Sequence, residues 1–173
     1  MMFDDDEDDD YQSKREAYRK LPIFIKGQEI SDMVRKIGEL IPEDNEHLQE
    51  IKGMMLFDAA QLTVKIAGAE SAGLYDIKME CAAIIRKAAH DLMLHYHSLK
   101  MFGFKEYEYY KIVRDLIEEY RLLFIAWVAG FDKWDYCIDR WGLFNPPGVG
   151  PFDKDPDDDI PFDPGEFFPD DED

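Results

Sequence analysis

Along most of this chain apolar residues recur in steps of three and four, and no stretch alternates with period two, which confines it to helices packed side by side. In residues 22–41 the face is Ile23, Ile30, Met33, Val34, Ile37 and Ile41; Pro22 opens the segment and Pro42 closes it. Residues 46–69 carry a second stripe, Leu48, Ile51, Met55, Asp58, Leu62, Ile66 and Ala69, with Gly68 and Gly73 bracketing a break. A third, over 74–102, holds Leu74, Ile77, Cys81, Ile84, Ala88, Leu92, His95 and Leu99, and Gly103 stops it. The fourth, over 105–131, holds Tyr109, Val113, Leu116, Tyr120, Leu123 and Trp127 beside a second row of Tyr110, Ile117, Phe124 and Phe131. Four long amphipathic segments on short loops predict an all-α, up-down-up-down four-helix bundle. A short fifth helix over 132–141 would pack Trp134, Ile138 and Trp141 onto one end, so the bundle unit spans residues 21–141.

Charge divides the rest. The chain of 173 residues carries a net charge of −19, which taken whole would repel nucleic acid and anionic membranes. Seventeen of those charges lie in residues 1–10 and 151–173, leaving the folded part close to neutral. Residues 1–20 and 142–173 therefore read as tails, the latter broken by prolines at 146, 147, 151, 156, 161, 164 and 169. Its two Pro-Phe-Asp units and Phe167-Phe168 point to a tail that docks, on its own body or on a partner. Asp153, Asp155 and Asp157 imitate the start of a calcium loop, but Asp158 replaces the required glycine and Pro164 the bidentate glutamate. Lys14, Arg15, Arg19, Lys20 and Lys26 form an opposite block, either a charge-mixed approach to the first helix or a small cationic patch masked by the polyaspartate.

The fourth segment is more apolar than one bundle face requires. Its aromatic surplus, Tyr107, Tyr109, Tyr110, Tyr120, Phe124, Trp127 and Phe131, points to an oligomer or partner interface, assigned to Tyr109, Tyr110, Ile117, Phe124 and Phe131; the alternative is cover by the fifth helix and the C-terminal tail.

Catalytic signatures are sparse. No Glu-x-x-His occurs, as a di-metal bundle would need, and His95 and His97 point about 200° apart on a regular helix, so neither metal nor cofactor is expected. Ser13, Ser31, Ser71 and Ser98 lack a nucleophile context, and phosphate-binding and dinucleotide glycine motifs are missing. Asp58 and His95 interrupt apolar stripes and read as buried polar groups that fix register. A turn near Ala72 would set Asp58 level with about residue 86, too far from His95 for a dyad. The opening Met1-Met2-Phe3-Asp4 is the reverse of a signal peptide, and the longest strongly apolar run, residues 122–131, is about half a membrane span. With only Cys81 and Cys137, a cytoplasmic setting is expected.

Leu40-Ile41-Pro42, then residues 54–71 (MMLFDAAQLTVKIAGAES) and Leu74-Tyr75, resemble the second-helix region of a small four-helix-bundle family. Ile66-Ala67-Gly68 closing one helix and Leu74-Tyr75 opening the next carry the similarity, which covers about residues 24–131. That family holds proteins encoded by intervening sequences in large-subunit ribosomal RNA genes and Avd, the accessory variability determinant of diversity-generating retroelements. The resemblance implies a homopentamer without enzymatic activity and, for Avd, binding to a reverse transcriptase and its template RNA. Those proteins are strongly basic and this chain is not, which weighs against direct RNA or DNA contact and leaves a protein partner as the expectation. The acidic tails support a second reading, an adaptor that mimics nucleic acid in a partner's basic site.

Overall fold

A computed structural model describes residues 16–160. The Asp4–Asp10 run, Lys14, Arg15, the second Pro-Phe-Asp unit and Phe167-Phe168 fall outside them. Within this span lie four α-helices and no strand: α1 (Pro22–Glu39), α2 (Glu46–Ala72), α3 (Tyr75–Met101) and α4 (Lys111–Ala129). Each packs on its chain neighbours and α4 returns to α1, giving the expected up-down-up-down bundle. No described helix is long and apolar enough to cross a membrane.

Local chemistry sets the ends. Leu21 caps α1 with Pro22 at the first helical position, where a missing N–H costs nothing. Asn45 caps α2, its Oδ1 accepting the Leu48 N–H at 3.1 Å. Gly73, at φ 78°, ends α2 in a left-handed turn that residues with a Cβ seldom adopt. At the end of α3, Phe104 N–H donates to Leu99 O at 2.9 Å and Gly103 N–H to Lys100 O at 3.2 Å. That Schellman closure drives Phe104 into the core. A 3-10 turn, Tyr107–Tyr110, follows, so α4 begins at Lys111 rather than at 105.

Ile30, Val34, Met55, Leu62, Ile66, Ile85, Leu92, Leu99, Val113 and Tyr120 build the core. Ile85, not Ile84, faces inward, while Cys81, Ala88, Leu92, His95 and Leu99 of the α3 stripe are buried as expected. Gly27 lets α1 approach α2: a Cβ there would stand 3.0 Å from Thr63 Cγ2 and 3.1 Å from Leu62 O. Ser31 Oγ crosses the same seam to Ala59 O at 3.1 Å. A second cluster, Tyr75, Ala82 and Phe131, caps the end near the α2–α3 turn, with Trp127 and Tyr136 against it.

The expected fifth helix is absent: residues 132–141 are non-helical, and Trp134 and Trp141 point into solvent instead of packing on the bundle. Side chains take amides that the helical ladder would need: Asp76 accepts from Cys137 N–H at 3.0 Å, Asn145 from Asp139 N–H at 2.7 Å, and Asp139 from Trp141 N–H at 2.9 Å. The Asp139 carboxylate also accepts the N–H groups of Leu143 and Phe144, both at 2.8 Å. Those donors hold the carboxyl below the usual aspartate range, Phe144 N–H contributing most. Ile138 does reach the interior. Nor is 142–160 a plain tail: Asn145 Nδ2 donates to Asp139 O at 2.9 Å, and Arg140 Nη1 to Pro151 O and Asp153 O at 3.1 and 2.8 Å.

Candidate functional site: two apolar surfaces and a buried polar pair

An apolar groove of about 490 Å³ lies between helices α3 and α4. Ile85, Ala89, Met93 and Phe124 line it, Leu94 and Ile125 stand on its edges, and Arg86, His90, Arg121 and Glu118 supply the polar rim. Arg121 Nε donates to Glu118 Oε2 at 2.9 Å. Alanine at 89 with Met at 93, four residues on, leaves the α3 side shallow where bulkier residues would have filled the seam. That small-plus-flexible pair was the sequence signal for the groove.

The interface assigned to the fourth segment needs correction. Tyr110 is wholly buried, its hydroxyl donating to Leu92 O at 2.8 Å. Ile117 lies in the main core and Phe131 in the second cluster, edge-on to Trp127 at 4.7 Å. These three are consumed inside the chain because α4 faces α1, α3 and the loop after it, more than a single stripe could serve. Phe124 is half-buried in the groove and Tyr109 stays exposed. Trp127 Nε1 donates to Glu70 Oε1 at 2.8 Å, fastening α4 to α2.

Asp58 and His95 meet. His95 Nε2 lies 2.9 Å from Asp58 Oδ2, and both residues are buried. The level estimated from the turn fails because Cα–Cβ bonds lean toward each helix's N-terminus. In this antiparallel pair Asp58 leans away from the turn and His95 leans toward it, so their side chains converge across several residues of stagger. Met54, Phe57, Leu94, Asp91 and Ser98 line a shallow groove of about 550 Å³ above them. A carboxylate on an imidazole can orient a base, yet here each partner is spent on the other. Among the described residues no buried side-chain nitrogen or oxygen lacks a hydrogen bond. No group of three or more His, Cys, Asp or Glu there is placed to hold a metal.

The cationic block is not a free patch where it is described. Lys26 Nζ is clasped by Glu29 Oε2 at 2.6 Å and Glu119 Oε2 at 2.7 Å. The Glu119 carboxylate first, and Glu29 next, hold its ammonium above the ordinary value. Arg19 pairs with Glu16 at 3.5 Å, and Lys20 is exposed.

A second apolar surface, outside every sequence expectation in this form, is the loop over 131–160. Trp134, Trp141 and Phe152 are 90, 92 and 96% exposed. Tyr75 N–H donates to Asp135 O at 2.7 Å and Cys137 N–H to Asp76 Oδ1 at 3.0 Å, anchoring the loop on the start of α3. The Asp-x-Trp pattern at 132–134 and again at 139–141 was its signal: in each, the aspartate carboxylate accepts the tryptophan N–H, at 2.9 Å.

The chain matches no family model, no curated protein and no solved structure.

Proposed function

We propose that the protein is a non-catalytic, oligomeric helical scaffold or accessory protein, akin to Avd, that binds a protein partner of the reverse-transcriptase or nucleoprotein kind. The open α3–α4 groove carries the reading: a bundle with a complete core that still leaves Met93, Phe124 and Ile125 beside empty space has a surface suited to another chain. The resemblance over residues 24–131 supports five copies as the subunit number. Light scattering of the full chain at micromolar concentration tests it. The expected mass is five times the 20.3 kDa subunit; a strict monomer refutes the reading.

The acidic ends favour a second reading, an adaptor whose tails occupy a basic site on a partner. Removing residues 1–10 and 161–173, which leaves the anchored loop whole, would then abolish salt-sensitive binding to a polylysine probe. Equal binding by tailed and tailless forms refutes it.

A further inference from the structure

We propose that copies of this chain join head to tail, the aromatic loop of one seated in the α3–α4 groove of the next. The idea rests on the oligomeric reading above and deepens it by naming the two surfaces.

The loop is a built projection. Asp139 gathers the amides of Trp141, Leu143 and Phe144, and Arg140 ties the turn holding Pro151 and Asp153 to the same place. A Cβ on Gly142 would meet the Pro151 ring at 3.3 Å, so the two turns lie back to back. Trp141, Leu143 and Phe152 therefore project from adjoining turns, at 92, 75 and 96% exposure. Aromatic anchors held rigid before contact are what interfaces use for most of their affinity, because little ordering remains to be done on binding.

The loop cannot satisfy itself on its own groove. Its base is pinned to Tyr75 and Asp76, and Trp141 and Leu143 lie beside Asp76 and Glu80. Ala89 and Met93 lie nine to seventeen residues farther along α3, about 13–26 Å at ~1.5 Å per residue. None of Trp141, Leu143 and Phe152 lines the groove of its own chain, which leaves that groove open to another molecule's tip.

The surfaces also match in charge. Residues 132–159 hold eight aspartates against Lys133, Arg140 and Lys154. The groove answers with an apolar floor and, on its rim, Arg86 and His90 beside the Arg121–Glu118 pair. Its volume of about 490 Å³ falls within the range of pockets that enclose bulky apolar groups. Because tip and groove are different surfaces, each joined copy still offers one of each, and growth continues until a ring closes or a filament extends.

Two variants of the full chain test this by size-exclusion light scattering, with circular dichroism checking the fold. A tip variant carries Trp141→Ser and Phe152→Ser; a groove variant carries Leu94→Asp and Ile125→Asp, positions already 60 and 54% exposed. The expected result is an oligomeric wild type, two monomeric variants, and an equimolar mixture that forms one-to-one dimers and nothing larger. In that mixture the intact groove of one meets the intact tip of the other. An oligomer that survives in either variant overturns this interface and leaves the oligomeric reading standing. A mixture that stays monomeric also overturns the pairing, and a monomeric wild type overturns both.

Discussion

Replacing both buried tyrosines of the fourth-helix region by phenylalanine should destabilise the protein at neutral pH and protect it in alkali. Tyr110 donates to Leu92 O at 2.8 Å and Tyr120 to Leu62 O at 2.9 Å, each almost wholly buried. Both acceptors sit inside helices and keep their ladder amides when the hydroxyls go, so no polar group is orphaned. The cost is then one net hydrogen bond per site, about 1 kcal/mol. The sites lie ten residues apart, about 15 Å along the helix axis, so the two add to about 2 kcal/mol. Burial raises the Tyr110 hydroxyl far above its ordinary value, with the Asp58 charge a smaller cause, and burial alone raises Tyr120. In the unfolded chain each tyrosine ionises near pH ~10 while the folded chain keeps its proton. The unfolded state then binds fewer protons, and stability falls as pH rises, by about 1.4 kcal/mol per pH unit per tyrosine. The wild-type alkaline limb should thus be steeper by about 2.7 kcal/mol per unit, and the curves of wild type and Tyr110→Phe/Tyr120→Phe should cross near pH ~11. Urea unfolding followed by far-ultraviolet circular dichroism, at fixed protein concentration across that range, reads the crossing. Parallel curves through pH ~11.5 would refute the burial argument.

Gly27→Ala should cost about 1–3 kcal/mol of urea-unfolding stability despite better helix propensity, since its Cβ strikes the Leu62 backbone. Gly53→Ala, with nothing within 4 Å of the new carbon, should gain about 0.5–1 kcal/mol; the opposite ordering sinks the packing account. Asp58→Ala should lose about 1–3 kcal/mol by leaving His95 without its partner, and a double-mutant cycle with His95→Ala should show the two losses are not additive. Asp139→Ala should speed amide exchange at Trp141, Leu143 and Phe144 while the helices stay protected. In the wild type, because the folded Asp139 carboxyl sits below its unfolded value, the same loosening should appear as pH falls through the folded value and not above it. Uniform exchange rates across the variant and the wild type would remove Asp139 from its place in the loop.

The helices were legible because burial imposes the three-to-four spacing on the side chains that reach the core, and proline and glycine mark their ends. The start of α4 was not, since Phe104 and Tyr110 are buried from a loop and from the 3-10 turn at Tyr107–Tyr110, without helical spacing. Trp134, Ile138 and Trp141 have that spacing yet form no helix: the side chains of Asp76, Asn145 and Asp139 take the amides of Cys137, Asp139 and Trp141 that its ladder would need. The Asp58–His95 distance escaped a count of residues because it depends on which way side chains lean. The groove escaped as well, since periodicity says which face turns inward and nothing of how closely two helices approach.

The bundle closes between its first and last helices, with Lys26 bonded to Glu119 across 93 residues of chain. That closure has a consequence for biosynthesis. At about 5–20 residues per second, α1 leaves the ribosome roughly 5–20 s before the helix that completes its cover exists. Through that interval the side of α1 destined for α4 can be shielded only by a partial assembly with α2 and α3, or by a chaperone.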